Sequence, residues 1–248
     1  MTLYIDVGGT FIRYMIGNKT YKVKNTGFLE IIKNLIKTYN ITKIKMSFAG
    51  QVKDNIIYSA PNINTDILDL QNIFKIPVFV ENDLNCAVLA EKEYFKTDDI
   101  IAIYIGTGMG CGIVKNNQLI DGFTEIGHIP FKKSKFICGC GKDNCVELFS
   151  SGNAIKKFGY TTFEELPQNL KELFLEGVMV ATANLITILN PKILVFGGGV
   201  IENNPLMINY IKDNIAKYAF NLSLKKLLIT QTKLTNGALQ GTKYIKER

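Results

Sequence analysis

Two stretches of this chain, YIDVGGT at residues 4–10 and YIGTGMG at residues 104–110, share one pattern that decides the fold. Each is an apolar run of strand type that ends in a glycine turn. A second apolar run follows each turn, as at residues 11–16, so the chain is predicted to return as a strand. Because the same unit opens each half of the chain, the sequence indicates a duplicated fold with a cleft between the halves.

Outward from these turns, strand and helix patterns alternate. Residues 28–39 have apolar side chains at a helical period, and residues 43–49 and 77–81 have the composition of buried strands. Residues 84–95 follow as a helix, for which Asp83 is the predicted N-cap. Alternating strands and helices predict an α/β class. We expect a small N-terminal domain at residues 1–98 plus 236–248 and a larger one at residues 99–235.

Composition predicts a cytoplasmic protein. Of the 248 residues 47% are hydrophobic and 21% charged, which is ordinary for a globular protein. The N-terminus lacks a signal-peptide pattern, and the most apolar helical stretch, residues 178–189, is interrupted by polar residues and too short to span a bilayer. The net charge is +7, but the lysines are dispersed, so we expect a phosphorylated small-molecule ligand and neither nucleic acid nor membrane as partner.

The sole histidine and three clustered cysteines predict a metal site. His128 precedes Cys138, Cys140 and Cys145, and thiolate and imidazole are the ligands that zinc prefers. Buried thiols and a core histidine are the structural alternative for any one of them. The cluster favours a closed Cys3His site, and hence a structural zinc.

The glycine turns predict phosphate contacts. Glycine permits positive φ and lets backbone amides approach a phosphate closely. Neither turn opens a helix or carries the lysine of a Walker A loop, so both differ from the common nucleotide fingerprints. Asp6, just before the first turn, would suit a hydrated Mg²⁺. The triple glycine at residues 197–199 would let an adenine or ribose lie against the backbone.

Carboxylates next to these motifs are candidates for substrate chemistry. Asp83 is either a helix cap or a general base for a substrate hydroxyl, and Asn82 beside it could hydrogen-bond a polyol. Glu125 and Glu147 lie within three residues of the predicted zinc ligands. We therefore expect loss of zinc to weaken sugar binding before nucleotide binding, because the turns at Gly8 and Gly108 are distant in sequence.

With these motifs in order, the chain resembles the ROK family of sugar kinases, within the actin, Hsp70 and hexokinase-like superfamily. The resemblance runs from Leu3 to the segment at Gly237. The motifs that carry it are DVGGT (6–10), ENDLNCA (81–87), GTGMGCGI (106–113), EIGH (125–128), CGCGKDNCVE (138–147), SG (151–152) and GGGV (197–200).

The resemblance implies two similar α/β domains of ribonuclease H-like type around a cleft, and transfer of the γ-phosphoryl group of ATP to a hexose. By motif position Asp83 would be the catalytic base. The implied sugar contacts are Asn82, Glu125, His128 and Glu147, with Gly50 and Asn62 as further candidates. The implied contacts to ATP and Mg²⁺ are Asp6, Gly8, Gly9, Thr10, Thr107, Gly108, Gly198 and Gly199, and the implied ligands of structural Zn²⁺ are His128, Cys138, Cys140 and Cys145.

The chain departs from the family pattern at several positions. Phe11 replaces a usual lysine, Thr124 and Asn144 replace usual glycines, and the chain is shorter between Gly152 and Val178. A homodimer is a possible assembly of such a chain. Alternatives to a glucokinase-type enzyme are a kinase for N-acetylmannosamine, another amino sugar, fructose or a heptose. The family also includes sugar-responsive regulators with an N-terminal helix-turn-helix, for which a first strand at Leu3 is expected to leave no room.

Overall fold

The computed structural model describes residues 1–59, 67–120 and 124–247. They cluster into two compact units, the first formed by Met1–Lys96, Leu119–Phe123 and Leu234–Arg248, and the second by Thr97–Gln118 and Thr124–Lys233. Asn62, a predicted sugar contact, lies outside the described residues.

The first unit is built on a five-stranded mixed sheet with the order β3-β2-β1-β4-β8. The first three strands form an antiparallel meander, and β1, β4 and β8 are parallel. A small antiparallel sheet, β5-β6-β7, lies in the same unit. Its elements are β1 (Thr2–Val7), β2 (Phe11–Ile16), β3 (Lys19–Lys24), α1 (Phe28–Tyr39), β4 (Lys43–Phe48), β5 (Gln51–Lys53), β6 (Ile56–Ser59), β7 (Leu68–Asp69), α2 (Leu70–Phe74), β8 (Val78–Asn82) and α3 (Asp83–Phe95).

The second unit repeats this plan with the strand order β11-β10-β9-β12-β13. As in the first unit, an antiparallel pair, here β10 and β9, precedes three parallel neighbours, β9, β12 and β13, which confirms the prediction of two similar α/β units. Its elements are β9 (Ile100–Ile105), β10 (Met109–Lys115), β11 (Gln118–Leu119), α4 (Gly152–Lys157), α5 (Gln168–Leu189), β12 (Ile193–Gly197), α6 (Gly199–Asn203), α7 (Leu206–Asn214), α8 (Asn221–Leu224) and β13 (Leu228–Gln231), after which α9 (Gly237–Gly241) belongs to the first unit.

The two faces of the first sheet have different neighbours. Side chains alternate along β1, so Leu3, Ile5 and Val7 share one face and pack with the buried stripe of α1, which includes Phe28 and Ile32. The opposite face is contacted by α3 and α9. The predicted bounds of α1 and β2 are confirmed, because their apolar periods are uninterrupted.

The C-terminal segment completes the first unit. Helix α9 packs on α3 so closely that a Cβ on Gly241 would lie 1.7 Å from the carbonyl oxygen of Cys86. Glycine at position 241 is therefore required by close helix packing. After α9, the C-terminal residues contact β4: the buried Lys45 donates from Nζ to the carbonyl of Ile245 over 2.8 Å, and Lys43 pairs with Glu247 at 2.6 Å.

Helix α5 is the core helix of the second unit. It has 22 residues, so the expectation of a segment too short to span a bilayer was wrong about its length. It is long and apolar enough for a membrane span, yet half of its most apolar window is buried inside the unit. Phe174 and Val178 pack there with Ile103 and Phe196 of the sheet. Packing against the sheet therefore accounts for its apolar composition.

Candidate functional site

A row of polar residues crosses the first sheet. The strand registers align Lys22, Arg13, Asp6, Ser47 and Glu81, one on each of the five strands. Residues that oppose each other across neighbouring strands share a face of the sheet. In β1, β4 and β8 the row lies near the carboxyl ends, which is where open α/β sheets bind ligands.

Asp6 lies at the centre of this row and is 8% exposed. Ser47 donates from Oγ to Asp6 Oδ1 over 2.8 Å, and Arg13 Nη1 lies 3.6 Å from Asp6 Oδ2. Burial raises the pKa of Asp6 above its usual value, although Ser47 and Arg13 each act to lower it. The unit therefore maintains a costly buried carboxylate next to the glycine turn.

The first glycine turn connects β1 and β2 as predicted. Asn25 braces it by donating from Nδ2 to the Gly8 carbonyl over 2.8 Å and from its amide to the Thr10 carbonyl over 2.9 Å. Gly9 and Thr10 are exposed. Sequence reasoning missed Asn25, whose only signal was an asparagine directly after a strand.

The junction of β8 and α3 corrects the predicted helix cap. Asn82, not Asp83, is the N-cap, because its Oδ1 accepts from the amides of Leu84 at 2.9 Å and Asn85 at 3.3 Å. Asn82 also donates from Nδ2 to the Gly50 carbonyl over 2.9 Å. Asp83 is the first residue of the helix and is partly exposed. Asp83 Oδ1 accepts from the Leu84 amide over 3.0 Å, but the N-cap position itself is occupied by Asn82.

Glu81 supports this junction from the sheet. Its Oε1 accepts from the Asn82 amide over 3.0 Å and from Asn85 Nδ2 over 2.9 Å. Beneath it, burial raises the pKa of the Cys86 thiol well above its usual value, and the charges of Glu81, Asp6 and Asp83 raise it further. The Cys86 thiol is therefore unreactive. Glu81 lies on the same row as Asp6 and is two residues before Asp83, so the three carboxylates belong to one polar region of this unit.

The predicted metal ligands come together in the second unit. The donor atoms of His128, Cys138, Cys140 and Cys145 all lie within 4.8 Å of one another. His128 Nδ1 is 3.4 Å from Cys138 Sγ, and the Sγ atoms of Cys140 and Cys145 are 3.3 Å apart. A tetrahedral zinc with Zn–S distances of about 2.3 Å separates its sulfur ligands by about 3.8 Å. The donor set and its convergence therefore fit one zinc ion.

Backbone hydrogen bonds shape the loop that carries these cysteines. The Cys138 amide donates to the Lys142 carbonyl over 2.8 Å, and the Gly141 amide donates back to Cys138 over 2.9 Å. Gly141 has φ 86°, a conformation that favours glycine. The amide of Lys142 lowers the pKa of the Cys140 thiol, whereas burial raises that of Cys145.

Glu147 connects the cysteine cluster to the second glycine turn. Its Oε1 lies 3.0 Å from Cys138 Sγ and 3.7 Å from His128 Nδ1. Its Oε2 lies where a Cβ on Gly108 would be only 3.0 Å away. Gly108 is distant from the zinc ligands in sequence but lies next to Glu147 in space, so loss of zinc is expected to disturb this turn as well.

A partly exposed acidic rim adjoins the cluster. His128 presents Nε2 to Glu125, whose Oε2 is 3.9 Å away, while Nδ1 faces the sulfur atoms. The side chains of Glu125, His128 and Glu147 are 43%, 31% and 23% exposed. Carboxylates accessible in this way can accept hydrogen bonds from hydroxyl groups.

The second glycine turn is held by the start of α4. Gly152 donates its amide to the Gly106 carbonyl over 2.7 Å, and Asn153 donates to Thr107 over 3.0 Å. Gly198 has φ 89° and packs against the end of β9, since a Cβ there would lie 2.6 Å from the carbonyl oxygen of Ile105. A Cβ on Gly199 would meet no atom within 4 Å among the described residues. Packing thus explains Gly198, whereas Gly199 has open space before it.

A search against protein-family models matches residues 2–248 to the ROK family. Among curated proteins, the xylose repressor of Bacillus subtilis is 28% identical over 210 residues, covering 74% of this chain and 55% of the repressor. The glucokinase of Streptomyces coelicolor is 25% identical over 278 residues, covering 88% of each chain. The chain thus spans about half the length of the xylose repressors that it matches.

Solved structures of the same fold include both enzymes and a regulator. A ROK family glucokinase from Streptomyces griseus, in complex with glucose and AMPPNP, has a TM-score of 0.79 and 22% identity, covering 98% of each chain. A ROK family transcriptional regulator, a homologue of the Escherichia coli MLC protein, has a TM-score of 0.81 and 20% identity, covering 98% of this chain and 78% of that one. A putative N-acetylmannosamine kinase from Listeria monocytogenes has a TM-score of 0.78 and 24% identity, covering 98% and 97%.

Proposed function

Because the chain belongs to the ROK family, we propose that it transfers the γ-phosphoryl group of ATP to a hydroxyl of a hexose. The observation that supports this most is the position of Asp83. It is the first residue of α3, beside the cap that Asn82 supplies, and it directly follows β8, which lies two strands from the β1 strand of Asp6. Its Oδ1 accepts from the Leu84 amide over 3.0 Å, and a partly exposed carboxylate oriented in this way at a helix start suits a general base.

In the first unit, Asp83 accepts the proton of the attacking hydroxyl, and Asn82 and Gly50 line the sugar. Asp6, Gly8, Gly9 and Thr10 hold phosphates and Mg²⁺, for which a carboxylate beside an exposed glycine turn is a suitable group. ATP is the phosphoryl donor, and a Mg²⁺ ion held there would neutralise charge on its phosphates.

In the second unit, the acidic rim of Glu125, His128 and Glu147 binds sugar hydroxyls. A zinc ion on His128 and the three cysteines would be structural, because four protein ligands leave no open coordination position. Thr107 and Gly108 contact phosphates, and Gly198 and Gly199 border the nucleoside. Of these two glycines, Gly199 has the open space that such an approach needs.

A second candidate is a sugar-responsive regulator. It is favoured by the xylose repressors among the relatives and by the MLC homologue among the solved structures. Such a protein needs a sugar site but no general base or bound nucleotide. The two functions therefore differ in turnover and in the role of Asp83.

The test is a coupled ADP-release assay with ATP and a panel of sugars: glucose, N-acetylmannosamine, another amino sugar, fructose and a heptose. A kinase turns over at least one of them, and Asp83→Asn lowers the rate by about 10²–10⁴ while sugar affinity persists. Asp98→Asn is the matched control, since Asp98 is an exposed aspartate paired with Lys192. Sugar binding without turnover by the unmodified protein would instead favour the regulator.

The panel also identifies the sugar. A glucokinase-type enzyme is the leading candidate, and the N-acetylmannosamine kinase is the next, supported by the neighbour from Listeria monocytogenes. The cytoplasmic location and the possible homodimer stay predictions.

A further inference from the structure

Arg13 is the cation of the polar row that lies next to Asp6. Its Nη1 is 3.6 Å from Asp6 Oδ2, and the two residues are register partners across β1 and β2. The Arg13 side chain is 32% exposed, whereas that of Asp6 is 12% exposed. The guanidinium therefore contacts the buried carboxylate from the solvent side.

Of the two cations on the polar row, Arg13 and Lys22, Arg13 is the one that lies beside Asp6 and the glycine turn. Lys22, its partner on β3, extends over the ring of Phe11, with Nζ 4.2 Å from the centroid. Phe11 itself shares the strand face of Arg13 and is uncharged. In the described part of the chain, the one ion pair of Arg13 is that with Asp6. A planar guanidinium has five donors, so a single carboxylate oxygen uses only part of its capacity.

The choice of arginine at this position is unusual for this chain. Arg13 and Arg248 are its only two arginines, and all other basic side chains except His128 are lysines. Lysine would neutralise Asp6 equally well, but only arginine presents a rigid fork that matches two phosphate oxygens. The position lies two residues beyond Phe11, whose carbonyl accepts from the Gly8 amide at 3.1 Å. A phosphate held at the glycine turn would thus lie close to this fork.

We propose that Arg13 binds the terminal phosphate of the nucleoside triphosphate, and so orients the group that is transferred. This inference rests on the proposed kinase function. A carboxylate at Asp6 repels a phosphate chain, and Arg13 offsets that repulsion at the place where the two must approach. In the alternative, Arg13 serves only to neutralise Asp6 and stabilise the fold.

The experiment measures binding as well as turnover. Calorimetric affinities for ADP, for AMPPNP and for the turned-over sugar are compared in the unmodified protein, Arg13→Gln and Arg13→Lys, each checked by urea denaturation. Lys19→Gln is the matched control, because it removes an exposed cation from the far end of the same hairpin. We expect Arg13→Gln to weaken AMPPNP by roughly 10–100-fold, the worth of a charge-assisted hydrogen bond, with a smaller loss for ADP and an unchanged sugar affinity.

Arg13→Lys keeps the charge beside Asp6 but not the fork, so it should fold even where Arg13→Gln does not. We expect it to lose several-fold in AMPPNP affinity. The inference would be overturned if both variants fold and bind nucleotide within twofold of the unmodified protein. If Arg13→Gln does not fold, the same result for Arg13→Lys alone would overturn it. Arg13 would then serve only to neutralise Asp6. If the unmodified protein neither binds nucleotide nor turns over any sugar, the proposed function fails and this inference with it. If the unmodified protein turns over a sugar and the Arg13 variants keep its nucleotide affinity, only this inference is refuted and the proposed function stands.

Discussion

Asn82→Ala should destabilise the first unit by an amount that follows from its contacts. Asn82 Oδ1 caps α3 through two amides, and loss of such a cap costs about 0.5–2 kcal/mol. Its Nδ2 adds one hydrogen bond to the Gly50 carbonyl, worth about 1 kcal/mol. The sum is about 2 kcal/mol in free energy of unfolding. Asn82→Ser keeps a cap acceptor and loses the bond to Gly50 without adding a charge, so we expect it to cost about half as much.

Urea denaturation followed by circular dichroism measures both variants, since the chain has no tryptophan. Asn34→Ala is the control, because Asn34 is exposed within α1 of the same unit. Its replacement should change stability by at most about 0.5 kcal/mol, in the stabilising direction. The assignment of Asn82 as the cap would be refuted if Asn82→Ala lay within about 0.5 kcal/mol of the unmodified protein, or if Asn82→Ser were as unstable as Asn82→Ala.

Three further predictions concern the metal and the buried carboxylate. Protein purified without added metal should contain about one zinc per chain by elemental analysis, and a well-folded sample with almost none would contradict the assignment. Cys140→Ser should weaken both sugar and AMPPNP binding in calorimetry, because Glu147 connects the cluster to Gly108; an unchanged AMPPNP affinity would argue against that connection. Burial raises the pKa of Asp6 above 3.8, so the folded state holds this proton more tightly than the unfolded chain does, and stability falls as the pH rises from 3.8 through the folded pKa. Asp6→Asn should therefore be more stable than the unmodified protein at neutral pH in urea denaturation, and a less stable variant would show that Arg13 and Ser47 outweigh the burial.

The sequence predicted what depends on local pattern. The two glycine turns, the bounds of α1 and the alternation of strands and helices follow from periodicity and glycine placement, and these were confirmed. The convergence of His128 with the cysteines could be expected from donor type and spacing alone. Each of these signals lies within a short stretch of chain.

The parts that were missed depend on register between distant strands. Ser47 and Glu81 were visible only as polar residues in otherwise apolar strands, and nothing local aligns them with Asp6. Arg13 is the one charged residue of β2, and no local pattern indicates that it lies next to Asp6. The contact of Glu147 with Gly108 joins segments whose approach is set by the packing of the unit. Local pattern carries no information on such distances.

The placement of α9 has a consequence for how the nascent chain folds. The first unit needs residues 234–247, yet the ribosome makes the whole of the second unit's later segment before them. Because synthesis adds about 5–20 residues per second, α9 emerges on the order of ten seconds after β4 and α3, on which it packs. Until Gly241 reaches Cys86, the apolar face that includes Phe79 remains uncovered. We therefore expect the second unit to fold first during synthesis, and the unit that emerges earliest to be completed last.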